Sequence, residues 1–155
     1  MGIRYLAISV DNDDYERVKA GPCPSCGTRP SPRYDYDDPA ETTLDLDKSW
    51  RYFQRILRGR PSEILVDGEV THTGYGWISH QGCLSPREVE VAAADLATIT
   101  VQDIQKYFLG EKANYLTSPN RAQDDCAYVT SYLSAAQTFT RGAAGAGRGI
   151  VYYIG

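Results

Sequence analysis

The sequence predicts an α+β domain with a small sheet, and three observations carry that expectation. A strand-like run stands near one end of the chain (residues 3–9, IRYLAIS), a second closes the other (residues 150–154), and the stretches between them show mostly helical spacing. Asp11 to Asp14 supply helix-start chemistry for a short helix running to Val18. Residues 21–39 hold five prolines, two glycines and two cysteines, which no regular element tolerates, so a long Pro/Cys-rich loop is expected over 21–43. A loop of that length in a compact domain is commonly functional or locally cross-linked. Six carboxylates then crowd residues 34–47 and read first as a solvated acidic loop.

Leu46, Trp50, Phe53 and Leu57 recur at helical spacing and predict an amphipathic helix over 46–58. Asp45 would be its N-cap, and Gly59, Arg60 and Pro61 its stop. Arg51, Arg55 and Arg58 flank the apolar stripe and suit the negative end of the helix dipole. Residues 62–78 read as loop with one short strand at Ile64, Leu65 and Val66. Ser85, Pro86 and Glu88 form a capping box with proline at the first helical position, the sharpest local signal in the chain. The helix it opens shows Val89, Ala92, Ala93 and Leu96 on one face, and a second helix follows from Thr100 to about Phe108. A third spans 121–141 through Cys126, Val129, Leu133 and Ala136, and a glycine-rich turn over 142–149 ends it.

One domain of 155 residues, 42% hydrophobic and 23% charged, is large enough to bury a core without covalent staples. The net charge of -4 argues against nucleic acid as a partner, because such binders show a basic footprint. No apolar run approaches the length of a membrane span, and the first ten residues lack signal-peptide character. Leu6 stands where a myristoylation signal needs Ser or Thr. The expected compartment is therefore the cytoplasm, where cysteines serve as metal ligands, catalytic groups or buried side chains more often than as disulfides.

The stretches LDLDKSWRYFQRILRG (44–59), GYGWIS with LSPREVEVAAADL (74–96) and RGIVYYIG (148–155), together with the opening MGIRYLAIS, resemble the YfbM-like family, catalogued as domain of unknown function 1877. The resemblance covers the whole chain and implies a small bacterial single-domain α+β protein without an assigned activity. It also marks Asp45, Asp47, Lys48 and Trp50. An aspartate at a helix start accepts backbone N–H bonds, and Trp50 on the apolar face reads as core. Lys48 either pairs with a carboxylate or points into a cleft near Tyr75.

Two features depart from the family pattern, Cys23-Pro24-Ser25-Cys26-Gly27 in the first loop and His80-Gln81-Gly82-Cys83 before the capping box. Each is a two-ligand hook, and a Cys₃His set would satisfy one structural zinc ion. The plain alternative is an incidental cysteine pair and a surface histidine. A redox role is disfavoured because Cys23 and Cys26 follow a helix instead of opening one.

Catalytic motifs are missing from the sequence: no Gly-x-Ser-x-Gly elbow, phosphate loop or His-Glu-x-x-His. Cys126 follows two aspartates that would blunt a thiolate, so it reads as core, and His72 as an ordinary loop histidine. The leading expectation is a non-enzymatic protein-interaction module of accessory or immunity type, presenting the acidic loop and aromatic side chains to a protein partner. The rival is a small-ligand binder or enzyme with a cleft around Lys48, Tyr75 and Trp77.

Overall fold

The computed structural model describes residues 2–32, 42–110 and 119–155. Residues 35–41, which carry four of the six carboxylates of the expected acidic loop, lie outside them. Strand β1 (Tyr5–Val10) leads into helix α1 (Asn12–Lys19), whose N-cap Asp11 accepts a hydrogen bond from the Asp14 N–H at 2.8 Å. Strand β2 (Thr43–Asp47) precedes helix α2 (Trp50–Ile56) and a 3₁₀ turn (Pro61–Leu65). Three strands follow, β3 (Thr71–Thr73), β4 (Gly76–Ile78) and β5 (His80–Leu84), then helices α3 (Pro86–Leu96), α4 (Val101–Leu109) and α5 (Pro119–Gly145), and strand β6 (Gly149–Ile154).

The α+β expectation holds, with both end strands at the centre of one antiparallel sheet. Its order is β2-β1-β6-β5, while β3 and β4 form a separate hairpin. Alternation along the strands divides the core in two. Tyr5, Ala7, Leu44, Leu46, Leu84, Ile150, Tyr152 and Ile154 face the layer formed by α2, α3, α4 and α5, whereas Ile8, Val10 and Val151 meet Tyr15 and Val18 of α1. The expected capping box at Ser85 and Glu88 is complete, and Thr100 with Asp103 makes a second one for α4. Helix α5 continues beyond the expected end through Gly142 and Gly145. It stops only where Gly147 turns left-handed (φ 63°), with its N–H on the Ala144 carbonyl and that of Arg148 on the Ala143 carbonyl, a Schellman closure.

Two expectations need correction, and one strand carries no local signal. Residues 43–47 are a strand, so Asp45 caps no helix; α2 starts after Ser49, whose hydroxyl donates to the Leu46 carbonyl. Leu46 and Trp50 are both buried, which is why helical spacing mimicked one continuous element across the boundary. Ile64, Leu65 and Val66 are not a strand but end the 3₁₀ turn, with Leu65 and Val66 buried under α2 and α3. Finally, residues 80–84 form an edge strand. Its sequence, HQGCL, hides that by placing polar residues and a glycine where the partner strand already supplies the apolar surface.

Asp95 ties the 3₁₀ turn to α3. It accepts bonds from the Ser62 hydroxyl, from the Ser62 N–H at 3.1 Å and from Arg60 Nη2 at 2.9 Å. Burial pushes its carboxyl up, but the bonds from Ser62, then Arg60, outweigh that and hold it below the usual carboxylate range. A lowered folded value stabilises above the unfolded carboxylate value, about pH 4, and that contribution disappears as pH falls through the folded value. Asp95→Asn is therefore expected to lower stability at pH 7 by roughly 1–3 kcal/mol and to flatten the loss of stability below about pH 4 that urea titrations of the parent chain should show.

Candidate functional site

The motif residues at the end of β2 make a pinned ionic knot. Asp47 adopts a left-handed backbone (φ 46°), unusual for a residue with a side chain. Three ties hold it there: its N–H donates to Asp45 Oδ1 at 2.6 Å, its Oδ2 accepts from the Tyr128 hydroxyl at 2.7 Å, and Arg4 Nε stands 3.0 Å from Oδ1. The Arg4 contact is an ion pair aligned poorly for a hydrogen bond, so the Tyr128 bond dominates. That bond, aided by Arg4 and opposed by burial, draws the Asp47 carboxyl below its ordinary range. Tyr128 also accepts the Lys48 N–H at 3.3 Å, and its own phenol is pushed up by burial and then by Asp47. Asp47 Oδ2 is thus hydrogen-bonded while the buried Oδ1 has the Arg4 ion pair and no hydrogen bond, and the knot joins β2 to α5. Nothing in the sequence pairs Arg4 or Tyr128 with Asp47, since they lie 43 and 81 positions away.

Lys48 is exposed, and its Cε and Nζ lie over Gly2. Tyr75 and Trp77 belong to the β3–β4 hairpin, which runs into β5 at the other edge of the sheet. Three strand spacings, about 14 Å, separate β2, which Lys48 follows, from β5, which the hairpin enters.

The hairpin has its own character. Tyr75 at its turn is fully exposed, Trp77 is 42% exposed and Ile78 58%. Val70, packed against the main core, and Gly68, lying under the His80 ring, anchor its base. Between Arg60 and Arg87 the chain carries Glu63, Asp67 and Glu69 and neither lysine nor arginine. Asp67 and Glu69 are exposed just before β3, at the base of the hairpin. Trp50, by contrast, is core as expected, and Cys126 lies half-buried against that core.

The two sulfur hooks fare differently. Residues three apart on a strand point to opposite faces: His80 lies with Tyr152 (ring centroids 6.0 Å apart) on the main-core side, and Cys83 with Val151 on the α1 side. His80 and Cys83 therefore cannot converge on one ion, and among the described residues no three His, Cys, Asp or Glu side chains are grouped to hold a metal. Burial raises the Cys83 thiol. It lines an open groove of about 490 Å³ with Tyr15, Lys19, Ile64, Arg87 and Val91, a feature with no periodic trace in the sequence.

Cys23 and Cys26, however, share one exposed turn. The Cys23 thiol is drawn down to about 6, first by the Ser25 hydroxyl 3.0 Å away, then by the N–H groups of Ser25 and Cys26 and by the Cys26 thiol. Alkylation of Cys23 by iodoacetamide is accordingly expected to reach half its maximal rate near pH 6, while Cys83 reacts only at distinctly higher pH. Mass spectrometry of the modified peptides reads both, and Ser25→Ala should move the Cys23 midpoint upward.

The family model described as "Domain of unknown function (DUF1877)" matches residues 1–153. Among solved structures, "The Crystal Structure of a Protein of Unknown Function YfbM from Escherichia coli" is similar over 99% of this chain and 100% of that chain, with 15% identity and a TM-score of 0.59. At that identity the likeness speaks for the fold. No curated protein matches the chain. Among the described residues, no helix is long and apolar enough to cross a membrane.

Proposed function

The chain belongs to the DUF1877 family, and from the surface this member displays we propose that it is a non-enzymatic, cytoplasmic protein-interaction module that receives a basic segment of a protein partner on the β3–β4 hairpin. The carrying observation is the exposure of Tyr75, Trp77 and Ile78 on a hairpin entered through the exposed carboxylates Asp67 and Glu69. Single exposed apolar residues such as Leu109 are ordinary on a protein surface. Tyr75 and Trp77, two positions apart at the end of the hairpin, are residue types that dominate binding energy at interfaces. Aromatic faces attract guanidinium and ammonium groups, and nearby carboxylates steer a cationic partner toward them.

The test is retention of the full chain on immobilised peptides that combine arginine with apolar residues, against matched peptides carrying aspartate instead. Retention by the basic set alone, weakening as salt rises from 50 to about 500 mM as screened charges require, supports the reading. Retention that ignores peptide charge, or none on any peptide, overturns it.

A further inference from the structure

We propose that the outer edge of β5 receives a further strand, an extended acidic segment of a partner protein in which two neighbouring carboxylates are flanked by apolar side chains. The proposal does not depend on the hairpin reading, since it rests on β5 and the groove beside it and needs a partner of opposite charge. β5 ends the sheet order β2-β1-β6-β5 and, among the described residues, pairs with β6 alone. A strand in that position turns the N–H and C=O groups of every second residue outward. Edges are commonly blunted by charged side chains, proline or a bulge. The opposite edge has such devices: β2 carries Asp45 and Asp47, its register with β1 shifts between Tyr5 and Leu6, and Asp47 turns left-handed. β5 has none of them. Its sequence, HQGCL, contains no proline, carboxylate, lysine or arginine, and all five residues pair with β6 without a register shift.

The groove of about 490 Å³ lies along this edge, because its walls come from both faces of the sheet. Tyr15 and Lys19 belong to α1, which covers one face, whereas Ile64 of the 3₁₀ turn and Arg87 and Val91 of α3 belong to the layer on the other. A groove walled by both layers, with Cys83 between them, opens at the rim of the sheet, where the next strand would lie about 4.8 Å from β5. Ile64 and Val91 are exposed there and offer apolar contact. One cation stands on each side. Lys19 Nζ lies over the Tyr15 ring, 5.3 Å from its centroid, and Arg87 occupies the first turn of α3. The remaining charge in the groove, Glu88, is engaged in the capping box, where its Oε2 accepts from the Ser85 N–H and hydroxyl at 2.8 Å. Successive side chains of a strand point to opposite faces. Two neighbouring carboxylates on an added strand therefore meet Lys19 and Arg87, while the backbone bonds to β5 supply affinity and the side chains supply selectivity. The same cations oppose a second copy of this chain, since pairing two β5 edges would gather four of them along one seam.

The probe is the capped peptide Thr-Val-Glu-Glu-Val-Thr, titrated into the full chain by calorimetry at low salt. It should bind, with affinity about 10-fold weaker for Thr-Val-Gln-Gln-Val-Thr and for the Lys19→Gln, Arg87→Gln double variant, as two ion pairs at a solvent-open groove imply. N-methylation separates strand addition from any other contact: methyl groups on one alternate set of peptide amides should abolish binding, and those on the other set, whose N–H groups face solvent, should leave it intact. Bound peptide should also slow alkylation of Cys83 while Cys23 keeps its rate, and circular dichroism shows that the variant remains folded. No binding, equal tolerance of both methylated sets, equal binding of the glutamine peptide or an unprotected Cys83 would each overturn the proposal. So would a sedimenting mass that doubles without peptide, which marks a second copy on the edge, or tighter peptide binding after Asp35→Asn, Asp37→Asn and Asp38→Asn, which marks the chain's own acidic segment as the occupant.

Discussion

Replacing Gly82 by valine is expected to cost about 3–5 kcal/mol of stability, an overpacking penalty of roughly 1–3 kcal/mol plus about 1 kcal/mol for each hydrogen bond displaced. Gly82 sits on β5 opposite Tyr152, and any Cβ there would overlap the Tyr152 ring. The ring is not free to move aside. Its hydroxyl donates to the Asp67 carbonyl at 2.7 Å, and its face stacks on Tyr5 at 5.5 Å between centroids. Tyr5 in turn is buried and donates to the Leu65 carbonyl at 2.7 Å. One added side chain therefore disturbs the edge strand, two tyrosines and the carbonyls that close the 3₁₀ turn. For a domain of this size the melting temperature should fall by about 10 °C or more. Gly82→Ala should lose less, and removing the ring with Tyr152→Leu should recover part of the Gly82→Val loss, a non-additivity that a double-mutant cycle measures. Strict additivity would mean that the two residues do not share the contact described.

The second large effect concerns binding and leaves stability alone. Tyr75→Ser with Trp77→Ser removes the two exposed rings of the hairpin, and neither packs in the core. Urea midpoints should shift by no more than about 0.5 kcal/mol, the usual range for surface changes. Affinity for a basic peptide should fall at least about 30-fold, corresponding to the roughly 2 kcal/mol that marks a dominant interface residue. Leu109→Ser, an equally apolar exposed change at the end of α4, should alter neither. Isothermal titration of the three proteins with one peptide separates these outcomes.

Much of the architecture was legible because its signals are local. The capping box at Ser85, the apolar end strands and the spacing of Val89, Ala92 and Leu96 each act within a few residues, and each element formed as expected. What escaped was set by partners distant in sequence. His80 to Leu84 become a strand because β6 offers an unpaired edge, and Gly82 is required by a ring 70 positions away. The alternation Leu44-Asp45-Leu46-Asp47 did announce a strand, but it was masked by the buried Trp50 that extends Leu46 at helical spacing.

The candidate site divides in the same way. Trp50 as core and the Cys23-Cys26 hook follow from nearest neighbours. The pairing of Asp47 with Tyr128, the separation of Lys48 from Trp77 and the opposite facing of His80 and Cys83 depend on sheet order and register, which hydrophobic spacing does not encode.

Docking of a basic partner segment on the β3–β4 hairpin would be read out by the protection of Trp77. The chain has two tryptophans, and Trp50 is only 3% exposed, so acrylamide quenches chiefly Trp77. Titrating the full chain with an arginine-containing apolar peptide should lower the quenching constant toward that of a buried tryptophan, in a saturable manner that high salt reverses. Quenching that stays constant while the peptide is bound would place the contact elsewhere and contradict the account.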